Sequence, residues 1–430
     1  MIPSNFSPAH HRTPAITSMA RRALDTLVLS LMLGSLVLIT IEIAGTTWEI
    51  GESGIFTDFD AFYVAGEFFW EGRLADAYDV ETMNGRQSTI SGRETFMPWT
   101  YPPQFNFVTA LVALGPRGLS YGLFTSASLV LYLFVLRLLA GPRLTAPLLT
   151  IFPSLAMVVL CGQNGLLTAS LVGLFCFWTL RAQIMAGAPL GFMVIKPHLA
   201  IGLGCLVLFR GQWRILLAAL AIVAASTILA TQAFGIGIWS AFLEGTRAAG
   251  ENMEEGVYPF FRMTSVYVTL FSAGLSTGVA LAMHGLVALA AIGSILLALH
   301  WNWPMARTLG TTVVATLAIS PYNYDYDMPM LAMGLALLTP CLTRHARLHE
   351  HLILVLSGWL CTGWGWVIYI WFDDGTPYAP GKWLSLGGLG FVLMGLILWR
   401  VLLRAHAAEV AFNLVPGTGA KSSQADPVKT

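Results

Sequence analysis

The sequence predicts an all-α polytopic membrane protein of about 12 transmembrane helices (range 10–13), whose outer-face loops carry short interfacial helices. Three observations predict it. Of 430 residues, 56% are hydrophobic and only 11% charged, whereas a soluble domain carries about 25% charged residues. Apolar runs long enough to cross a bilayer recur along the chain, and mean hydropathy is +0.69. Fourteen tryptophans suit the aromatic belts at membrane–water interfaces. The formal net charge is zero, which gives no sign of a nucleic-acid partner.

The elements follow in order. The first apolar run, about residues 24–44, follows Arg12, Arg21 and Arg22. At about 20 residues it spans a bilayer and is too long for a signal-peptide core, so it reads as an uncleaved first helix. The basic N-terminus, residues 1–23, then stays inside. Residues 45–103 form a polar segment that must lie outside. It holds ten of the 23 acids against only Arg73, Arg86 and Arg93, yet also Phe59, Phe62, Tyr63, Phe68, Phe69 and Trp70. Positions 59, 62, 63, 66, 69 and 70 repeat at helical spacing. That predicts a short amphipathic helix on the outer membrane surface, N-capped by Asp58 and ended near Gly72.

Residues 95–243 contain no Asp or Glu. Apolar runs there fall at about 104–115, 118–139, 145–160, 164–181, 187–209 and 213–232. A second polar segment, 233–277, is followed by runs near 278–299, 308–321, 328–340, 352–371 and 383–403. Counted simply, this is a single membrane domain (24–403) of twelve helices with both termini inside and a disordered tail over 404–430. Arg210, Arg214, Arg307, Arg344, Arg347, Arg400 and Arg404 then all face inward, as the positive-inside rule requires. Two runs strain the count: 104–115 is short, and 187–209 is interrupted at Lys196-Pro197-His198. The alternative makes the first re-entrant and the second a hairpin with its tip outside. The five cysteines lie singly in apolar runs without metal spacing and read as small core residues.

Candidate chemistry sits at segment ends. Asp58 and Asp60 point about 200° apart on a helix, so they are no paired-carboxylate dyad. On spacing alone Asp58 is an N-cap and Asp60 a solvated first-turn acid. Lys196 lies in the acid-free stretch, where a lone ammonium costs about 3 kcal/mol or more. It needs a distant acid, a carbonyl cluster, a bound anion or a route to the interface. His198 beside it is a second donor. GQNG (162–165) places Gln163 and Asn164 between apolar runs, and Tyr101-Pro102-Pro103 is a rigid turn. Arg262 is either solvated, paired with Glu254 or Glu255, or a ligand for an anion. In PYNYDYD (321–327), Asp325 and Asp327 with the tyrosines either bind a sugar or cap a helix. No P-loop, GxSxG, HExxH or dinucleotide fingerprint occurs.

These motifs stand in a recognisable order. DF with following aromatics and AG (58–66), GxxxxAYD (72–79), YPP (101–103), GQNGLLTASLVG (162–173), IKPHL (195–199), Ser265 and PYxxxYD (321–327) together resemble the family-87 membrane glycosyltransferases of the GT-C class. That family includes mycobacterial α-1,2-mannosyltransferases. The resemblance covers about residues 24–400. It implies inverting transfer of a sugar, mannose or another hexose or pentose, from a polyprenyl-phosphate donor. The acceptor is a lipid or glycan at the outer face of the bacterial inner membrane. It also implies that Asp58 is the general base. Lys196, His198 and Arg262 are then the cations for the donor phosphate. Asp60, Tyr101, Gln163, Asn164, Ser265, Tyr322, Tyr326 and Asp327 remain candidate substrate contacts. The scheme requires no metal and no cofactor beyond the donor lipid. The competing class is a transporter or flippase of a lipid-linked sugar, with Lys196 and Asp58 as substrate or proton-relay groups. No internal repeat of the transporter kind is found.

Overall fold

The computed structural model describes residues 15–46, 58–92, 97–255, 257–372 and 383–414. In chain order the helices are α1 (Ala15–Thr46), α2 (Phe59–Trp70), α3 (Val80–Ser91), α4 (Asn106–Val112), α5 (Arg117–Ala140), α6 (Thr145–Thr150), α7 (Phe152–Cys161), α8 (Gly165–Leu180), α9 (Gly187–Phe192), α10 (Ile201–Phe209), α11 (Trp213–Phe234), α12 (Gly237–Glu254), α13 (Val266–Ser272), α14 (Thr277–His300), α15 (Met305–Ile319), α16 (Pro329–His345), α17 (Leu348–Trp371) and α18 (Gly387–Leu414). Among the described residues, extended pairing is limited to one isolated bridge, Met263 with Tyr324.

Six helices are long and apolar enough to cross a membrane: α1, α5, α11, α14, α17 and α18. Their outer faces expose Leu31, Leu38, Leu123, Leu217, Leu289 and Leu356. Apolar surface on this scale belongs against lipid rather than water, so the chain is a multi-pass membrane protein. Helices α7, α8, α15 and α16 are shorter because they are interior. In α16 every residue from Pro329 to Thr339 is buried, which requires apolar side chains all round. Where α15 crosses α16, a Cβ on Gly310 would lie 2.7 Å from Leu338, so the crossing depends on a residue without a side chain.

Three of the twelve apolar runs do not form single straight spans. The 145–160 run breaks at Ile151 into α6 and α7. Helix α4 has seven residues, about 10 Å of rise, and is too short to cross a bilayer. The 187–209 run breaks at Lys196-Pro197 into two half-length arms. In the first, Gly187 lies against Ala218 and Gly191 against Ile222, so α9 climbs alongside the start of α11. In the second, Gly202 meets Thr316 near the far end of α15. Arg210 then returns to the near end, with a contact of 3.7 Å to Met305 Sδ. The segment is a hairpin with Lys196 at its tip, the alternative arrangement rather than the simple count.

Two further expectations are corrected. Helix α2 does not lie on a surface: Phe59, Asp60, Phe62, Val64, Ala65 and Phe68 are all buried. Gly66 lets α4 cross so closely that a Cβ would fall 2.2 Å from Thr109 O. The tail is not disordered from residue 404. Helix α18 runs on to Leu414, pinned by Arg404 on Glu350 (2.7 and 2.8 Å) and by the Arg307–Glu409 ion pair. Residues 415–430, the expected outer stretch 373–382 and most of the expected N-terminal segment lie outside the described residues.

Candidate functional site

Local sequence brings four pieces of chain to the tip of the hairpin. Helix α7 ends at Cys161, and Gly162 turns the chain in the left-handed region (φ 65°). A side chain there would strike Phe59 and Tyr121. Gly165 opens α8 so close to the 320–328 loop that a Cβ would lie 1.8 Å from Tyr326 O. Both glycines of GQNG are thus explained by close approach: one seats the start of α2, the other seats the Tyr326 backbone. Between them Gln163 and Asn164 face Tyr101, whose hydroxyl donates to Gln163 Oε1 at 2.9 Å and lies 3.3 Å from Asn164 Oδ1.

Asp58 stands at the N-cap position of α2, but its backbone is already helical (φ −61°, ψ −21°) and its side chain makes no capping bond. The carboxylate is therefore not spent on the helix. It is 4% exposed, and Oδ2 is buried without a hydrogen-bond partner. Burial pushes its pKa up to about 6, against the opposing pull of Arg262 and Gln163. Asp60 takes the opposite direction. Both its oxygens meet Arg117, Nε and Nη2 each at 2.6 Å, in a pair with no exposed surface. The solvated acid expected here is a buried structural ion pair, because α2 has no wet face at that position.

The two cations have distant acids as partners. Lys196 Nζ lies 2.7 Å from Asp327 Oδ1, across 131 residues of sequence. Arg262 grips Asp325 with Nη2 and Nε at 3.0 and 3.2 Å, and Nη2 reaches Cys161 Sγ at 3.4 Å. Neither Glu254 nor Glu255 is its partner. Gly365 of α17 makes room for this pair: a Cβ there would sit 2.8 Å from Asp325 Oδ2. Tyr326 binds the cluster together, its ring 4.9 Å from Lys196 Nζ and 5.4 Å from the Arg262 guanidinium. Tyr324 stacks on it at 4.9 Å, nearly parallel.

The structure therefore gathers Asp58, Tyr101, Gln163, Asn164, Lys196, Arg262, Tyr326 and Asp327 at one end of the bundle, with His198 half-buried beside Lys196. It leaves three candidates outside. Asp60 faces Arg117. Ser265 caps α13 and donates to Pro321 O at 2.5 Å, a backbone brace. Tyr322 is 46% exposed against Tyr267. Arg117, Cys161 and Gly365 are neighbours of these groups that no sequence spacing marks. For Arg117 a signal existed: it is the first charge after α4 in a run otherwise free of acids, and its burial demanded a carboxylate.

A buried carboxylate with an unpartnered oxygen, two cations and stacked aromatic rings is a set of groups chemically able to bind a polar group and accept a proton. No curated protein and no solved structure matches the chain. The profile of glycosyltransferase family 87 matches residues 99–321, slightly more than half of the chain, a span holding Tyr101, Gln163, Asn164, Lys196 and Arg262. The chain belongs to glycosyltransferase family 87.

Proposed function

We propose that the protein moves a sugar from a polyprenyl-phosphate donor to a hydroxyl of a lipid or glycan acceptor, with inversion, at the outer face of the bacterial inner membrane. The observation that carries this reading is Asp58: buried, free of capping duty, with one unpartnered oxygen and a pKa near 6. A hydroxyl is a poor nucleophile until its proton is taken, and a base of that pKa is ionised at neutral pH while still avid for a proton. The acceptor oxygen bonds to the anomeric carbon as the bond from that carbon to the phosphate oxygen breaks. The hydroxyl proton passes to Asp58, and the bonding electron pair leaves with the phosphate.

Charge grows on that phosphate, and Lys196 and Arg262 are the cations able to receive it. Each already holds a carboxylate, so each shares rather than surrenders its partner. Arg262 keeps Nη1 for the purpose. His198 is a third donor. Lys196 does not wait for the donor to supply its counter-ion, since Asp327 does so. Asn164 and Tyr326, in the same cluster, are assigned to sugar hydroxyls and the sugar face. The outward placement rests on the arginines at the opposite end, including Arg22, Arg143, Arg181, Arg214, Arg344 and Arg400.

The test is incubation of membranes containing the protein with radiolabelled polyprenyl-phosphate sugars, mannose among them, followed by identification of the labelled product. Protein-dependent label in a new glycosidic bond supports the reading. Label that crosses the membrane still attached to its polyprenyl phosphate is the flippase result. Transfer that requires a nucleotide sugar would sink the donor assignment.

A further inference from the structure

At the end of the bundle opposite Asp58, the two feet of the Lys196 hairpin stand side by side. Residues 182–185 and 211–215 line an open cleft of about 680 Å³ between them, within the range of small-molecule sites. Each foot bends through left-handed backbone, Gly211 at φ 63° and Ala182 at φ 53°. Both are left-handed helix caps: Gln183 N donates to Trp178 O at 3.1 Å at the end of α8, and Gln212 N to Val207 O at 3.0 Å at the end of α10.

Among the described residues, none of the arginines at the cleft forms an ion pair. Arg214 lines it, and Arg181 and Arg210 immediately precede its two walls; all three are exposed. Arg181 rests 3.6 Å over the Phe177 ring, and Arg210 Nη1 lies 3.7 Å from the Met305 sulfur. No carboxylate occurs anywhere between residues 95 and 243. Gln212 Oε1 is buried here without a hydrogen-bond partner. Trp213 is 58% exposed, next to Ile184 and Met185. A cationic rim, one waiting acceptor oxygen and an apolar flank match an amphiphile whose head is an anion bearing a hydroxyl. A preference for arginines at one membrane face accounts for the rim, but not for the unpartnered oxygen beside it.

We propose that this cleft binds the headgroup of an anionic phospholipid. The phosphodiester meets Arg210 and Arg214, a headgroup hydroxyl donates to Gln212 Oε1, and an acyl chain follows Trp213 and the exposed Leu217 and Leu220 of α11. A lipid seated there ties the two feet of the hairpin together and so steadies the Lys196 tip from its far end. This reading is independent of donor, acceptor and base.

The test uses the full chain purified in a zwitterionic detergent. Thermal unfolding is followed with added phosphatidylglycerol, phosphatidylcholine or inorganic phosphate, and retained lipid is read by native mass spectrometry. Phosphatidylglycerol is expected to raise the Tm by about 2 °C or more and to be retained, and phosphatidylcholine and phosphate to do neither. The double variant Arg210→Gln/Arg214→Gln should lose both the shift and the retained lipid. Arg344→Gln/Arg347→Gln, with the same charge removed elsewhere at that end, should keep both. An equal response to phosphatidylcholine overturns the proposal, as does a response to inorganic phosphate, the absence of a wild-type response, or retention of lipid by the cleft variant.

Discussion

Burial of the Asp58 carboxylate opposes folding once the group is ionised. Its pKa is raised in the folded protein, to about 6 from 3.8, so the native state holds its proton more tightly than the unfolded chain. Stability therefore falls as pH rises from about 4 to about 6 and stays lower above that. The full effect is on the order of 3 kcal/mol. Asp58→Asn removes it: at pH 7 the variant should melt higher than wild type, an increase absent at pH 4. Under the proposed mechanism activity runs the other way, since a base must be ionised. The rate of sugar transfer should rise through an apparent pKa near 6 and level off above it; a rate flat from pH 4.5 to 7 would exclude Asp58 as the titrating base. Asp60 lies two residues away and predicts the reverse stability effect. Asp60→Asn strands a buried guanidinium, a loss of about 3–5 kcal/mol. Replacing both partners, Asp60→Leu with Arg117→Met, should recover much of it, measured as the denaturation midpoint. Lys196 is legible in the sequence as a cation needing a partner, because an isolated ammonium in an acid-free stretch is costly. That its partner is Asp327 and that of Arg262 is Asp325 is not legible, since local spacing carries no information across 131 and 63 residues.

At the scale of elements, the close approaches are what hold the site. Gly165→Ala would drive a methyl group into Tyr326 O, whose ring contacts both cations. Transfer should fall by at least about tenfold, as small displacements of positioned groups usually cost more than that. Gly204→Ala, a glycine with open space around its Cβ position, should leave the rate unchanged. Equal rates in the two variants would mean that the Gly165–Tyr326 contact does not position the site. Helix α2 shows how far sequence reasoning reaches. Its boundaries, the N-cap position of Asp58 and the apolar period are all legible. Its burial is not, because an aromatic stripe at helical spacing fits a membrane surface and a protein interior equally well. The hairpin is a similar case. Hydropathy cannot distinguish one 23-residue span from two arms of half that length, and only Pro197 marks the difference. The arms close because Gly187, Gly191 and Gly202 allow tight crossings.

The whole molecule is polarised. One end carries the buried cluster of three carboxylates and two cations; the other carries exposed arginines, the Glu350–Arg404 and Arg307–Glu409 pairs and the cleft at the feet of the hairpin. If the first end faces outward, Arg247→Cys, placed on the exposed face of α12, should react with a membrane-impermeant maleimide on intact cells. Arg344→Cys should react only after permeabilisation, and the opposite pattern would invert the orientation. The all-helical membrane architecture is legible from composition and run length, whereas the depth of each segment depends on crossings that no local pattern encodes. The proposed chemistry turns on the Asp58 carboxylate, and the most direct measurement is the rate of sugar transfer from a polyprenyl-phosphate sugar by Asp58→Asn in membranes, at matched folded protein. A loss of about a hundredfold or more is expected for removal of a general base, together with normal folding and the raised Tm. Transfer at the full wild-type rate would contradict the account.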